Sequence, residues 1–108
     1  MANVFKLRTK ANVGVTTTAV YTVPAATTTT VIGITLANTS GSSINVGVGV
    51  SRVTSDSVKL LKDAPIHQGS TLEFMQGNKI VLEATDTITV VSDTASSLDA
   101  SITILELT

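Results

Sequence analysis

Apolar residues fall on every second position along most of this chain, and the residues that carry them are β-branched. Ile44, Val46, Val48 and Val50 form one such series, and Leu98, Ala100, Ile102 and Ile104 another. Val and Ile supply most of the hydrophobicity, Thr much of the rest, while Phe, Tyr and Trp together make up 3% of the residues. Such side chains lose rotamer freedom in a helix but fit a pleated, half-buried surface. A convincing i, i+3, i+4, i+7 apolar pattern occurs nowhere, so the chain is expected to be all-β.

At 108 residues the length fits one domain, spanning 1–108. There is no cysteine, which excludes a disulfide-stapled mini-fold. A formal net charge of −1 offers no bulk basic field for nucleic acid, and no apolar run approaches the length of a membrane helix. We therefore expect neither nucleic-acid nor membrane partners.

Phe5, Leu7 and Thr9 alternate with Lys6, Arg8 and Lys10, which makes residues 1–10 an N-terminal arm or edge strand. Strands follow at about 17–23, stopped by Pro24, and at about 30–37. The latter places Ile32, Ile34 and Leu36 inward and Val31, Gly33, Thr35 and Ala37 outward. The cluster Asn38 to Ser43 reads as a turn leading into a strand at 44–53, the two strands forming a hairpin. A short strand at 58–61 and a loop around Pro65 come next. A meander then carries Leu72, Phe74, Ile80, Leu82, Ile88 and Val90, with turns at Gln76 to Asn78 and Ala84 to Asp86. The last strand begins at Leu98. One apolar face per strand requires two sheets over a shared core, a single antiparallel β-sandwich of jelly-roll or immunoglobulin-like topology. Its expected core holds Ile34, Leu36, Val46, Val48, Leu72, Ile80, Ile88, Ile102 and Ile104.

Candidate chemistry is sparse. His67 is the one histidine, and no nucleophile elbow accompanies it, so a solvated loop residue is the better reading. Glu83 with Asp86, and Asp93 with Asp99, are near neighbours, but turn carboxylates are ordinarily solvated. Gly33, Gly47 and Gly49 open no helix and so form no phosphate loop. We expect no catalysis, no cofactor and no metal.

Two features point to assembly. Gly33, Gly47 and Gly49 would make the outer face of the central hairpin smooth enough for close approach by another backbone, with strand bulges the competing explanation. Positive charge gathers at Lys6, Arg8 and Lys10, whereas Glu83, Asp86, Asp93, Asp99 and Glu106 follow the last basic residue, Lys79. Basic edge and acidic half can complement one another between copies, or the charges can simply guard an edge strand. The expected interface therefore comprises Phe5, Lys6, Leu7, Arg8, Lys10, Gly33, Gly47 and Gly49, with strand addition along 4–10 as its mode.

An ordered series of segments carries a resemblance. Val20 to Ala25 (VYTVPA), Thr29 to Gly41 (TTVIGITLANTSG), Ala64 to Ile66 (API) and Gly69 to Glu73 (GSTLE) are followed by Lys79 to Ala84 (KIVLEA) and Asp86 to Val90 (DTITV). Together they resemble small virion structural proteins of tailed bacteriophages, of the marine cyanophage type, from about residue 18 onward. Thr85 departs from the pattern, which would place Gly before Asp86. The resemblance implies a virion component assembled in the host bacterial cytoplasm, in particular a capsid decoration (cement) protein. Its partners would be other virion proteins, the major capsid protein among them, and its oligomer, by analogy, a trimer. The alternative is a receptor- or carbohydrate-binding module of a tail, neck or fibre. It would need exposed aromatic and carboxylate groups converging on one end of the sandwich, and the chain offers only Phe5, Tyr21 and Phe74 as aromatics.

Overall fold

The structure is a computed structural model that describes residues 3–53, 55–74 and 79–108, with the side chain of Phe74 also outside the description. The described residues form nine strands and no helix: β1 (Asn3–Val13), β2 (Thr18–Thr22), β3 (Thr28–Asn38), β4 (Ile44–Ser51), β5 (Val58–Ile66), β6 (Thr71–Phe74), β7 (Ile80–Leu82), β8 (Thr87–Ser92) and β9 (Leu98–Leu107). One sheet runs β1-β9-β3-β6, with β7 pairing β3 beyond the end of β6, and the other runs β2-β8-β4-β5. Every pairing is antiparallel.

The pairings are nested. The hairpin β4–β5 is innermost, β3 takes β6 and β7 around it, β2 takes β8, and β1 takes β9 outermost. A long hairpin rolled in this way is a jelly roll, which decides between the two sandwich topologies the alternation allowed.

The nesting corrects three expectations. The strands β3 and β4 are not a hairpin, because Thr39 to Ser43 crosses from one sheet to the other. Asn38 fixes that crossing: its Nδ2 donates to the carbonyls of Ser42 (2.7 Å) and Ile66 (3.0 Å), and its Oδ1 accepts from the Ser40 amide and hydroxyl. Nor do β6, β7 and β8 form a meander, since β8 lies in the other sheet. The strand β5 continues through Pro65 to Ile66, where no loop breaks it. As the outermost strand of its sheet it can lose one ladder donor without leaving a buried group unpaired. The turn read at Gln76 to Asn78 lies outside the described residues.

The core is aliphatic. Ile34, Leu36, Val46, Val48, Ile88, Ile102 and Ile104 are buried as expected, joined by Ile44, Leu82 and Leu98, with Leu72 and Ile80 partly buried against them. On β3 the phase changes. Thr29 and Val31 are buried before Ile32, and Ile34 and Leu36 after it. A bulge between Val31 and Gly33 in the pairing with β9 inserts Ile32 as the extra residue. Val31 is therefore inside and Ile32 only half-buried, against the expectation for both.

Candidate assembly interface

In β1 the polarity is the reverse of what a sandwich strand ordinarily shows. Lys6, Arg8 and Lys10 sit opposite Ile104, Ile102 and Ala100, on the inward side of their sheet. Phe5 and Leu7 sit opposite Leu105 and Thr103, on the outward side, where they are 70% and 61% exposed. Among the described residues this strand has a neighbour on one side only, and inward-pointing charge is one way an open edge discourages pairing with another chain.

The first of these charges is neutralised within the chain. Lys6 Nζ lies 2.7 Å from Glu106 Oε1, and Glu106 is buried at 4% exposure. Tyr21, on the opposite sheet, donates its hydroxyl hydrogen to Glu106 Oε2 at 2.5 Å and lies 2.8 Å from Thr29 Oγ1. The hydrogen bonds from Lys6 and then Tyr21 hold the Glu106 carboxyl below its ordinary range, against the opposing effect of burial. Burial, reinforced by Glu106, pushes Tyr21 up to about 12. Basic edge and acidic tail thus meet inside one copy at this point. Arg8 and Lys10 remain exposed on the same side of β1.

Of the three glycines read as one smooth surface, Gly33 faces outward beside Thr103 on the first sheet, whereas Gly47 and Gly49 lie on the second. A Cβ at Gly47 would come within 3.2 Å of the Leu61 carbonyl oxygen and of Val91 Cγ1. At Gly49 it would come within 3.1 Å of the Val58 carbonyl oxygen. The backbone that approaches these two is the chain's own β5, whose pairing with β4 shifts register on both sides of Val48. Among the described residues nothing lies within 4 Å of where a Gly33 Cβ would stand.

The outward side of the first sheet exposes three large apolar side chains, Phe5, Leu7 and Val81. Phe5, Leu105, Thr30 and Val81 line up across four strands in one row, with Val81 63% exposed. Toward the other end the outward residues shrink to Thr9, Ala11, Ser101, Thr35 and Ala37, and a trough of about 220 Å³ opens among them, flanked by Lys10 and Asp99.

The candidate chemical groups do not converge. His67 is exposed in the turn after β5 and accepts a backbone hydrogen bond from Ser70. Glu83 and Asp86 both engage Arg52, Asp93 accepts from the Asn45 amide, and Asp99 from the Asn12 amide. Among the described residues no group of three His, Cys, Asp or Glu is placed to hold a metal.

No protein-family model matches the chain, and neither does any curated protein sequence. Among solved structures, a chain from Bacillus endospore appendages, described as a novel family of disulfide-linked pili, superposes with a TM-score of 0.56. The two are 14% identical, over 98% of this chain and 88% of that one. The likeness is one of fold.

Proposed function

We propose that this chain is a non-enzymatic structural subunit that acts through subunit–subunit contacts, and, following its sequence resemblance, that it serves as a decoration protein on the capsid of a tailed phage. The observation that carries the reading is the outward side of the first sheet. Phe5, Leu7 and Val81 are each more than half exposed on it, and large apolar side chains gathered on one face mark an interaction surface. The polar groups support the same reading, since Glu83, Asp86, Asp93 and Asp99 engage Arg52 or backbone amides and the buried Lys6–Glu106–Tyr21 cluster clips the sheets together.

The fold neighbour that builds pili supports self-association as well as attachment. A polymer of this chain would be held without disulfides, because the sequence contains no cysteine. The test is to mix purified protein with capsids lacking their decoration protein, follow co-sedimentation, and image the protein alone by electron microscopy. Binding that saturates at a fixed number of copies per capsid supports decoration, and filaments of the protein alone support polymerisation. A protein that neither binds nor self-associates refutes the reading.

A further inference from the structure

We infer that the outward side of the first sheet is a self-complementary dimer interface whose occupant is the same face of a second copy. This rests on the assembly reading and specifies its contact.

The face divides into a ridge and a trough. Counting along the strands, Leu7, Thr103 and Gly33 form a middle row, each paired with the next across β1, β9 and β3. On one side of that row stand Phe5 and Leu105. On the other lie Thr9, Ser101 and Thr35, lining the 220 Å³ trough. A two-fold axis running across the strands through the middle row reverses strand position while keeping strand order. It therefore sets Phe5 of one copy on Thr9 of the other, and Leu105 on Ser101 and Thr35, with the reciprocal contacts generated by the symmetry. The Gly33 position falls on the axis, where each copy meets itself.

Charge and area agree with this occupant. The outward residues of the paired strands carry only Glu73 and Asp99, at the trough end. The axis sends the two acidic ends in opposite directions, so like charges stay apart at the polar rim. The strands β1, β9 and β3 at about 3.3 Å per residue and about 4.8 Å spacing, with the shorter β6 and β7 sharing the fourth position, give a described face of about 600 Å². A standard stable interface takes about 600–1,000 Å² from each partner. The open edge of β1, guarded by inward Lys6, Arg8 and Lys10, is the less favourable place for a copy to add.

The test uses the intact chain. Sedimentation equilibrium should show a dimer for the wild type and monomers for Phe5→Asp, in the ridge, and Thr35→Arg, in the trough. Both side chains lie outside the core, so thermal melts verify that the variants fold. Because the chain has no cysteine, Thr103→Cys supplies a unique thiol on the axis. A bis-maleimide spanning about 10 Å, the spacing of face-packed sheets, should then join two copies, whereas Thr89→Cys on the other sheet should not be joined. A monomeric wild type overturns this inference, and capsid binding then judges the broader reading separately. Folded Phe5→Asp and Thr35→Arg proteins that remain dimeric, or a dimer in which Thr103→Cys does not crosslink, move the contact elsewhere and overturn it as well.

Discussion

Tyr21 in one sheet and Glu106 in the other share a hydrogen bond of 2.5 Å across the interior of the sandwich, and Lys6 closes the cluster from the edge strand. Removing the Tyr21 hydroxyl leaves Glu106 with Lys6 but takes away a charge-assisted bond between sheets. Tyr21→Phe should therefore cost about 1.5–3 kcal/mol, the range for a hydrogen bond to a charged group. Urea unfolding monitored by circular dichroism checks it, and a cost near zero would mean the two sheets are held by the aliphatic core alone.

The same cluster predicts sensitivity at both ends of the pH scale. A lowered carboxyl pKa contributes stability above the ordinary value of 4.5, and that contribution is lost as pH falls through the folded-state value. A phenol raised from 10.0 to about 12 contributes stability that is whole below pH 10 and is lost as pH rises to 12. Chemical denaturation across pH should show the midpoint falling on both flanks. In Tyr21→Phe the alkaline fall between 10 and 12 should flatten, while an acid fall persists through Lys6.

Thr85 occupies a left-handed conformation, φ +73°, in the turn before Asp86. A β-branched residue there is strained by about 1–3 kcal/mol. The turn is otherwise well held, with the Thr85 amide donating to the Val23 carbonyl and Asp86 Oδ2 accepting from the Glu83 amide. Thr85→Gly keeps both bonds and relieves the strain, less about 0.5–1 kcal/mol for the freedom glycine has when unfolded. A net gain of about 1 kcal/mol, seen as a rise of about 4 °C or more in Tm, is the expected outcome.

The glycines should separate by sheet. Gly47→Ala and Gly49→Ala each push a methyl against a carbonyl of β5 and should destabilise by about 1–3 kcal/mol. Gly33→Ala meets none of the described residues within 4 Å and should leave monomer stability unchanged or slightly raised. Equal losses at all three sites in thermal melts would show that strand geometry, and not crowding by β5, sets the glycine requirement.

How far the sequence alone could be read follows from what alternation records. It reports which side of a strand is buried, so Ile44 to Val50 and Leu98 to Ile104 were placed on the core side directly. It does not report which strand lies alongside, so β3 and β4 read as a hairpin although they belong to different sheets. Ile32 was misplaced because a bulge reverses the phase of a strand without changing its composition. Glu106 is one of five acids after Lys79, and nothing in its sequence context marks it as buried. Its burial depends on Lys6, a hundred residues away, and on a tyrosine from the other sheet. At the proposed interface, Gly33 reads as outward from the alternation alone, and Phe5 and Leu7 read as contact residues whose side of the sheet is fixed only by the register with β9. Leu105, Val81 and the trough at Thr35 and Ser101 joined them only through the register of β1, β9, β3 and β7.

Nested pairing also imposes an order in time. The strand β1 is made before the rest of the sandwich, yet its one neighbour in the sheet among the described residues, β9, is made about 90 residues later. At ordinary synthesis rates of about 5–20 residues per second, β1 waits roughly 5 to 20 s with both edges unpaired. Throughout that interval Phe5 and Leu7 have no sheet to lie on, and Lys6 has no Glu106. The three positive charges alternating along β1 then act as gatekeepers that make the unpaired strand a poor template for its neighbours on the same polysome.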